Sequence, residues 1–320
     1  MTEILEGGDL PAPEAIGDAG AVVTVGVFDG VHRGHRAVID EVRARAAALG
    51  AKSVVVTFEP HPLAVLRPEV APQRLTTAAE KQALLAREGL DFVLVLPFTP
   101  ELAQLTAREF VRDILLERLR LRHLVIGYDH RLGRGRTGDL NELRALGAEF
   151  GFGTDVVPAM AEHGQPISSS FVRTALREGD VVAAAAALGR PYSFQGKVVR
   201  GDGRGRTLGF PTANLEIEDE AKLLPLEGIY AARATIGEDG VYDGVIHIGP
   251  RPTFPGAGGT VELHLFDFDR DIYGETVTVA CCARIREIRE FGGVEELIEA
   301  MEADCAAARA ALAAEGGACQ

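Results

Sequence analysis

The stretch "AVVTVGVFDGVHRGHRAVID", Ala21 to Asp40, decides the fold of the first half of the chain. It begins with a continuous apolar run, which predicts a buried strand. The amphipathic segment that follows predicts a helix from His35 to Leu49. Between them lies a glycine-rich loop, and two histidines, His32 and His35, stand at the mouth of the helix. The stretch therefore predicts a strand, a loop and a helix with polar chemistry at their junction.

The same alternation continues through the first half. Apolar runs recur at "SVVVTF", "DFVLVLPF", "RHLVIGY" and "GTDVVPA". Helical patterns separate them over Thr77–Glu88, Thr106–Leu119 and Leu140–Phe150. Because apolar strands between amphipathic helices are typical of a parallel sheet covered on both faces, we expect a Rossmann-like α/β domain over residues 1–184. Its ligand is expected at the carboxyl ends of the strands.

The pattern changes to period two in the second half. "SFQGKVVR", "IYAARATI", "YDGVIHIG", "TVELHLFDF" and "ETVTVACCARI" alternate apolar and polar residues between glycine and proline turns. We expect a small antiparallel β-barrel domain over residues 185–320. An alanine-rich helix, Val294 to Ala314, closes the chain, and its stripe of Val294, Leu297, Ile298 and Met301 is expected to pack against the barrel.

Composition and charge narrow the class of protein. The formal net charge of −14 disfavours nucleic acid and anionic membrane as partners. The four cysteines all lie in the last 40 residues without a CxxC pair, which indicates neither a zinc site nor a disulfide framework. The N-terminus does not have the pattern of a signal peptide. No apolar run approaches the ~20 residues that a membrane span requires. We therefore expect a cytoplasmic protein; the sequence leaves self-association open.

The histidine pair has three interpretations: metal ligands, an acid and a base, or phosphate ligands. Residues three apart on a helix share one face, and a helix N-terminus attracts phosphate. Gly30 and Gly34 would let phosphate approach the backbone. A metal would need a further ligand, and none lies at a typical zinc spacing. The context favours phosphate; a purely structural pair is the alternative.

Three further motifs of the first half carry alternatives. In "FEPHP", His61 either lines the nucleotide site or caps a loop. "GRGRTG", Gly133 to Gly138, matches a dinucleotide fingerprint with Asp155 about 20 residues on, but its place after the fourth strand and its arginines favour a loop instead. In "ISSSFVR", the serines either cap a helix or donate to phosphate together with Arg173.

In "RGDGRGRTLGFPTANL", Arg200 to Leu215, the second half holds a cationic glycine loop, in which Gly201, Gly203, Gly205 and Gly209 are interleaved with arginines. It is not a Walker A loop, but it is followed by two neutral oxygen ligands, Thr212 and Asn214. That combination suits a magnesium-bound triphosphate. In "VELHLFDFD", Glu262 on an inward face would be a buried carboxylate, which is either a general base or half of a structural ion pair.

With these motifs in order, the chain resembles the bifunctional bacterial riboflavin kinase / FMN adenylyltransferase family, from roughly Val22 to Arg309. The motifs that carry the resemblance are "GVFDGVHRGH", "FEPHP", "RLTTAAEK", "GRTGD", "ISSS", "LGRPY", "RGRTLGFPTANL", "RPTF", "VELHLFDF" and "FGGVEEL". The resemblance implies that the barrel converts riboflavin and ATP to FMN, and that the first domain converts FMN and ATP to FAD and pyrophosphate. It implies ATP as co-substrate and Mg²⁺ as the metal.

The resemblance also implies roles for individual residues. In the adenylyltransferase, catalysis would rest on His32, His35 and Arg173. ATP phosphates would be bound by Gly26, Phe28, Asp29, Gly30, Gly34, Ser168 and Ser169, with His61 and Asp129 lining the site. In the kinase, Glu262 would activate the ribityl hydroxyl, and Thr212 and Asn214 would coordinate magnesium. The loop over ATP would comprise Gly201, Gly203, Arg204, Gly205, Arg206, Gly209 and Pro211.

Four residues depart from the family pattern: His130, Leu132, His247 and Ile288. We expect them nearer to the flavin than to the phosphates. They motivate alternatives in which only one module is active, or in which a flavin analogue is the substrate. A non-catalytic flavin- or nucleotide-binding regulator is a further alternative.

Overall fold

A computed structural model of the chain describes residues 2–7, 13–162, 164–201, 205, 208–237, 240–249 and 260–314. The chain divides into two compact units, Met1–Ser168 and Ser169–Gln320. Among the helices that the structure describes, none combines the length and apolar composition that a bilayer span requires.

A six-stranded parallel sheet runs through the first unit and confirms the α/β prediction. The strand order is β1-β4-β3-β2-β5-β6, and each adjacent pair is parallel. The strands are β1 Glu3–Glu6, β2 Ala21–Val25, β3 Lys52–Glu59, β4 Phe92–Pro97, β5 Leu121–Gly127 and β6 Gly153–Val157. A two-stranded hairpin, β7 Ala161–Glu162 with β8 Gln165–Pro166, follows the sheet.

Helices cover the two faces of this sheet. They are α1 Pro13–Ile16, α2 Arg33–Leu49, α3 Pro62–Leu66, α4 Ala78–Ala86, α5 Pro100–Gln104, α6 Ala107–Phe110 (continued by a π-helical turn, Val111–Leu116) and α7 Leu140–Phe150. One apolar cluster buries Val38, Ile39 and Val42 of α2, and a second buries Phe110 and Leu115. Two separate clusters explain why the central strands carry apolar side chains on both faces.

The edge strand β1 was not predicted from the sequence. Glu3–Glu6 has only four residues; the two end residues are exposed and the two middle residues are half-buried. It pairs in parallel with β4, from Glu3 opposite Phe92 to Glu6 opposite Val95. So short and acidic a segment carries no periodic signal, and only the free edge of β4 makes it a strand.

A closed six-stranded antiparallel barrel forms the second unit and confirms the barrel prediction. Its order is β10-β13-β12-β11-β14-β9. The strands are β9 Tyr192–Val199, β10 Ala213–Glu216, β11 Gly228–Ile236, β12 Val241–Ile248, β13 Val261–Leu265 and β14 Thr276–Arg286. Alternate residues such as Phe194, Ile246, Leu263 and Val279 are fully or almost fully buried and fill the interior.

One feature of this unit differs from the sequence-based expectation. The strand β10, which includes the end of the "PTAN" motif, was not predicted; it closes the barrel between β9 and β13. Helices α8 Ser169–Arg177 and α9 Val181–Leu188 are grouped with the barrel by compactness, for example through the Leu226 amide donating to the Leu176 carbonyl. The domain boundary predicted at residues 184/185 from the change in pattern stays a prediction.

The closing helix, α10 Val294–Ala314, packs through a different face from the one predicted. Its buried residues are Ala300, Asp304, Ala308 and Leu312, spaced four apart, whereas Val294 of the predicted stripe is 59% exposed. Small residues let the helix approach the outer barrel wall closely. Asp304 accepts two hydrogen bonds from the guanidinium of Arg286, Nε–Oδ1 and Nη2–Oδ2, both 2.8 Å.

Replacing Asp304 with alanine is expected to reduce the free energy that stabilises α10 against the barrel by about 3 kcal/mol, because the change leaves Arg286 without its buried counter-charge. Hydrogen exchange with mass spectrometry on the full chain measures this as faster exchange of peptides from α10 and the end of β14. Glu302→Ala, on the exposed face of the same helix, is the control and should leave those peptides protected. Equal protection in both variants would contradict a stabilising role for the Arg286–Asp304 pair.

Candidate active sites

The topology of the first unit opens a crevice between β2 and β5. From β2 the chain continues to β3 and β4 on one side, and it then crosses to β5 and β6 on the other. Ligands of open α/β sheets bind at such a switch point, outside the carboxyl ends of the strands. The histidine pair follows β2, and Asp129, which is exposed, follows β5, so both lie at this edge.

The two histidines form a stacked pair at the start of α2. Their ring centroids lie 3.6 Å apart at an interplanar angle of 16°. His32 is the N-cap, and its Nδ1 accepts a hydrogen bond from the His35 amide at 3.2 Å. Burial, and secondarily the proximity of His32, holds the pKa of His35 well below its usual 6.5. His35 is therefore neutral at pH 7, and its Nδ1 is buried without a hydrogen-bond partner among the described residues.

The backbone that leads into the pair has unusual torsion angles. Phe28 and Val31 have φ of 53° and 40°, a region that side chains with a Cβ rarely occupy. The ring of Phe28 is 3% exposed and lies 4.9 Å from the ring of His35. A Cβ on Gly26 would lie 3.0 Å from that ring, so only glycine leaves room for it. Backbone strain of this kind is typical of functional sites that the surrounding structure holds in place.

Asp29 holds the loop in this conformation. Its buried carboxylate accepts hydrogen bonds from the amides of Leu75 and Thr76 and from the hydroxyl of Thr76, at 3.0–3.1 Å. The same hydroxyl accepts the amide of Gly30 at 3.1 Å. These hydrogen bonds connect "FDG" to "RLTT" and give the Asp29 carboxylate a structural role. A direct contact of Asp29 with an ATP phosphate stays a prediction.

The segment "FEPHP" is tied to the same region through Glu59. Its carboxylate binds Arg74 at 2.7 Å and the buried ammonium of Lys81 at 3.1 Å, and Lys81 also donates to the Phe58 carbonyl at 2.7 Å. His61 is the N-cap of α3, because its Nδ1 accepts from the Leu63 amide at 3.1 Å. The loop-capping interpretation of His61 is therefore confirmed; lining of the nucleotide site stays a prediction.

The serine segment begins beside α2 and continues into the second unit. A Cβ on Gly34 would lie 3.4 Å from the Ile167 carbonyl oxygen and 3.2 Å from the ring of His32, so glycine permits a close approach there. Ser168 ends the first unit, whereas Ser169 begins α8 in the second unit. Arg173 of α8 is 8% exposed. The phosphate roles of these three residues stay predictions.

The "GRGRTG" segment does not have the strand–turn–helix geometry of a dinucleotide fingerprint. "GRGRTG" forms a short 3₁₀ turn, Arg134–Arg136, closed by a bridge between Leu132 and Gly138 rather than opening a helix directly. Asp155 pairs instead with His123 at 2.8 Å and Arg45 at 2.5 Å. Leu132 is 6% exposed within the core, so packing accounts for this departure from the family pattern.

In the barrel, the pairing of neighbouring strands brings the predicted kinase residues next to one another. Asn214 of β10 and His247 of β12 are the cross-strand partners of Glu262 on its two sides. The Thr212 hydroxyl lies 3.4 Å from Glu262 Oε2. A Cβ on Gly201 would lie 2.1 Å from Asn214 Nδ2, so the loop backbone lies directly against that amide and only glycine fits.

Glu262 lies on the outer face of the barrel, which corrects the inward position considered from the sequence. Along β13, Val261, Leu263 and Leu265 are buried in the interior, while Glu262 and His264 are half-buried on the other face. The period-two pattern identified the shared face of Glu262 and His264 correctly. The pattern could not predict which face points into the barrel, because both faces of this strand are at least partly buried.

Two cavities adjoin these residues, and Thr212 lines both. One, of about 420 Å³, has a mostly apolar wall of Ile288, Phe291, Leu297 and Met301 opposite Glu262 and His247. The other, of about 600 Å³, is lined by Arg200, Arg270, Phe268 and Tyr273 and reaches Pro211. The Pro211 carbonyl lies 2.8 Å from His264 Nδ1.

Part of the predicted ATP loop lies outside the described residues, namely Gly203, Arg204 and Arg206, together with the "RPTF" segment. Gly205 and Gly209 are described: the amides of Leu208 and Phe210 both donate to the Gly205 carbonyl, and Gly209 has φ of 87°.

Comparison with known proteins identifies two enzyme families along the chain. A family model described as FAD synthetase matches residues 16–171, and one described as riboflavin kinase matches residues 188–312. The bifunctional riboflavin kinase/FMN adenylyltransferase of Escherichia coli K12 is 40% identical, and the match covers 87% of this chain and 88% of that protein. The protein of the same name from Pseudomonas fluorescens is 41% identical, and the match covers 92% of this chain and 94% of that protein. The chain belongs to this family.

A crystal structure shows that the fold extends over the whole chain. It is described as a macrolide-efflux protein from Streptococcus pneumoniae and matches with a TM-score of 0.82 and 32% identity. The match covers 95% of this chain and 97% of that one.

The family assignment also directs attention to cavity residues that sequence reasoning missed. Leu297 and Met301, interpreted as packing residues, line the smaller cavity, and so do Arg286 and Asp304. Helical periodicity could mark their side of α10 but could not separate a cavity wall from a packed interface. His247 and Ile288, predicted to lie near the flavin, both line this cavity.

Replacing Asp29 with alanine is expected to lower the stability of the first unit by about 3 kcal/mol, since three buried donors lose their charged acceptor. Urea unfolding monitored by circular dichroism measures this loss as a lower urea concentration at the midpoint of unfolding of the first unit. Asp113→Ala, which removes an exposed partner of Arg112, is the control and should leave the transition in place. An Asp29→Ala transition that coincides with that of the control would show that the loop does not depend on this carboxylate.

The titration of His35 gives a prediction with a definite sign. Because its pKa is lower in the folded state than in the unfolded chain, the folded state binds fewer protons, and stability is lost as pH falls below about 6.5 toward the folded value. His32→Asn keeps a capping acceptor but removes the neighbouring ring, so the pKa of His35 should rise part of the way back. NMR titration of the histidine Cε1–H signals measures this, and an unchanged or lower pKa would contradict it.

Proposed function

We propose that this chain makes FAD from riboflavin in two ATP-dependent reactions. The barrel phosphorylates riboflavin to FMN and releases ADP. The first unit transfers AMP from a second ATP to FMN and releases pyrophosphate. The observation that carries the proposal is the junction at Thr212, where two cavities of different chemistry meet beside the Glu262 carboxylate.

The two cavities match the two substrates of a kinase. The smaller one offers apolar and aromatic walls, including Phe291 and Met301, which suit a flat flavin ring. The larger one offers Arg200 and Arg270 beside Tyr273 and Phe268, with cation–ring distances of 4.9 and 5.7 Å. Cations and aromatic faces together suit a nucleotide. With riboflavin in the first and ATP in the second, the ribityl hydroxyl meets the γ-phosphate near Thr212.

In this proposal Glu262 acts as the base of the phosphorylation step. The ribityl oxygen bonds to the γ-phosphorus, the bond from that phosphorus to the β–γ bridging oxygen breaks, and the hydroxyl proton passes to the Glu262 carboxylate. ADP leaves with the electron pair of the broken bond. A carboxylate within hydrogen-bond reach of the hydroxyl makes the oxygen a better nucleophile as the new bond forms.

The residues at the junction fit a magnesium ion. The hydroxyl of Thr212 and the side-chain oxygen of Asn214 are hard oxygen ligands, and Mg²⁺ is bound in phosphoryl-transfer sites by a few such ligands together with substrate phosphates. When bound, the ion supplies neutralisation of phosphate charge during transfer. Among the described residues no cluster of three or more His, Cys, Asp or Glu side chains forms a metal cage, so the phosphates would complete the site.

In the first unit the chemistry calls for charge stabilisation rather than a base. The FMN phosphate is already ionised and attacks the α-phosphorus of ATP directly, while pyrophosphate leaves. The N-terminus of α2 and the stacked pair of His32 and His35 lie at the switch point, where they can donate hydrogen bonds to the phosphates. Asp29 and Phe28 contribute by holding the loop in place.

The two activities should separate by substitution in the full chain. Glu262→Gln is expected to lower kcat for riboflavin phosphorylation roughly 10²- to 10⁴-fold, because the amide cannot accept the proton, while FMN adenylylation is retained. Chromatographic separation of riboflavin, FMN and FAD after incubation with ATP and magnesium measures both. Glu299→Gln on exposed α10 is the control. If the wild type forms neither FMN nor FAD, the proposed function is wrong.

The reciprocal variant combines His32→Asn with His35→Gln, which keeps the helix cap and the approximate side-chain volume. FMN adenylylation should fall at least roughly 10²-fold through loss of phosphate stabilisation, with riboflavin phosphorylation unchanged. His123→Gln, at a histidine paired with Asp155, is the control. Loss of both activities in the double variant would argue against separate sites.

A further inference from the structure

A row of side chains runs around the outside of the barrel, one from each of five neighbouring strands. The register pairs Asn214 with Glu262, Glu262 with His247, His247 with Ile229, and Ile229 with Arg286. All but Asn214 line the smaller cavity. Directly paired residues share a face with Cβ atoms about 5 Å apart, so the imidazole of His247 is a nearest neighbour of the Glu262 side chain.

His247 is half-buried among charged groups from every element that borders it. β13 contributes Glu262, β14 contributes Arg286, and α10 contributes Asp304. The remaining titratable groups of the cavity are His264, Arg289 and Cys305. The guanidinium of Arg286 donates two hydrogen bonds to Asp304, and the Nδ1 of His264 lies 2.8 Å from the Pro211 carbonyl oxygen. Of the two histidines, register places only His247 directly beside Glu262.

The physical environment favours a neutral imidazole at ordinary pH. Burial lowers the pKa of His247 below its usual 6.5 and Arg286 adds to that effect, while the Glu262 carboxylate opposes it. The opposing contribution is the informative one, because it is an electrostatic coupling between the imidazole and the proposed base. An imidazolium at residue 247 would therefore attract the Glu262 carboxylate, which the strand register places directly beside it.

We propose that His247 is a positioning residue that sets the acid limit of the kinase reaction: as a neutral imidazole it leaves the Glu262 carboxylate free for the riboflavin hydroxyl, and as an imidazolium it pairs with that carboxylate and weakens it as a base. This inference rests on the proposed kinase function of the barrel. The proton balance of the reaction is unchanged, since the hydroxyl proton still passes to Glu262.

The consequence is a pH dependence that belongs to His247. Histidine is the side chain whose charge changes between pH 5 and 8, so acidification converts the neighbour of Glu262 from neutral to cationic. A weaker base accepts the hydroxyl proton less readily in the transition state. Riboflavin phosphorylation should therefore decline on the acid side while FMN adenylylation, which uses other residues, follows its own profile.

The test is the pH profile of kcat/KM for riboflavin phosphorylation by the full chain and by His247→Asn. With each profile normalised to its own value at pH 8, the acid decline of the variant should lie roughly one pH unit lower than that of the wild type, because residue 247 no longer titrates. His123→Gln is the control. A variant that is slower by the same factor at every pH would show a purely structural role and overturn the proposal.

A second measurement needs no turnover. NMR titration of His247, assigned by its absence in His247→Asn, should show a lower pKa in Glu262→Gln, because the carboxylate that favours the imidazolium is gone. An unchanged value would overturn the coupling. If the coupling is present but no FMN forms at any pH, the proposed kinase function fails instead, so the two failures are distinguishable.

Discussion

The hydrogen-bonded pairing of β13 with β10 on one side and β12 on the other fixes Glu262 between Asn214 and His247, and the barrel site depends on that register. A slip of one residue would move every side chain of β13 to the opposite face and place Glu262 in the apolar interior. Closure of the barrel makes such a slip costly, since each strand is paired on both edges. The barrel interior therefore stabilises the fold, while its outer face holds the chemistry.

In the first unit, side-chain hydrogen bonds and ion pairs, rather than strand register, hold the site residues in position. The carboxyl ends of parallel strands lie at one edge of the sheet, and the loops that follow them must be held in place there. Two acids do this: the buried Asp29 joins the loop after β2 to "RLTT", and the half-buried Glu59 joins the end of β3 to Arg74 and Lys81. A carboxylate that accepts several backbone amides is a stiff connection, and it supports the strained Phe28 backbone behind His35.

Charge is distributed to match this arrangement. The chain carries a net charge of −14, yet cations or helix N–H groups lie at both sites that we propose for phosphates. In the barrel, Arg200 and Arg270 line the larger cavity, while Arg286 in the smaller cavity is neutralised by Asp304. One cavity thus presents two arginines beside aromatic rings, together with Asp269 and Asp271, and the other presents apolar surface with an arginine–aspartate pair. This difference supports the assignment of nucleotide and flavin.

The sequence by itself determined the two fold classes, the family and most strand and helix positions, because hydrophobic period and turn residues are local properties. It also identified Thr212, Asn214 and Glu262 as a set, through motif resemblance. Tertiary structure alone decided that Glu262 faces outward, that "PTAN" supplies a barrel strand, that Glu3–Glu6 joins the sheet edge and that α10 packs through Ala300, Ala308 and Leu312. It also decided that His247 is the neighbour of Glu262. These outcomes depend on which segments pair across long separations in the chain, and no local pattern of residues encodes that pairing.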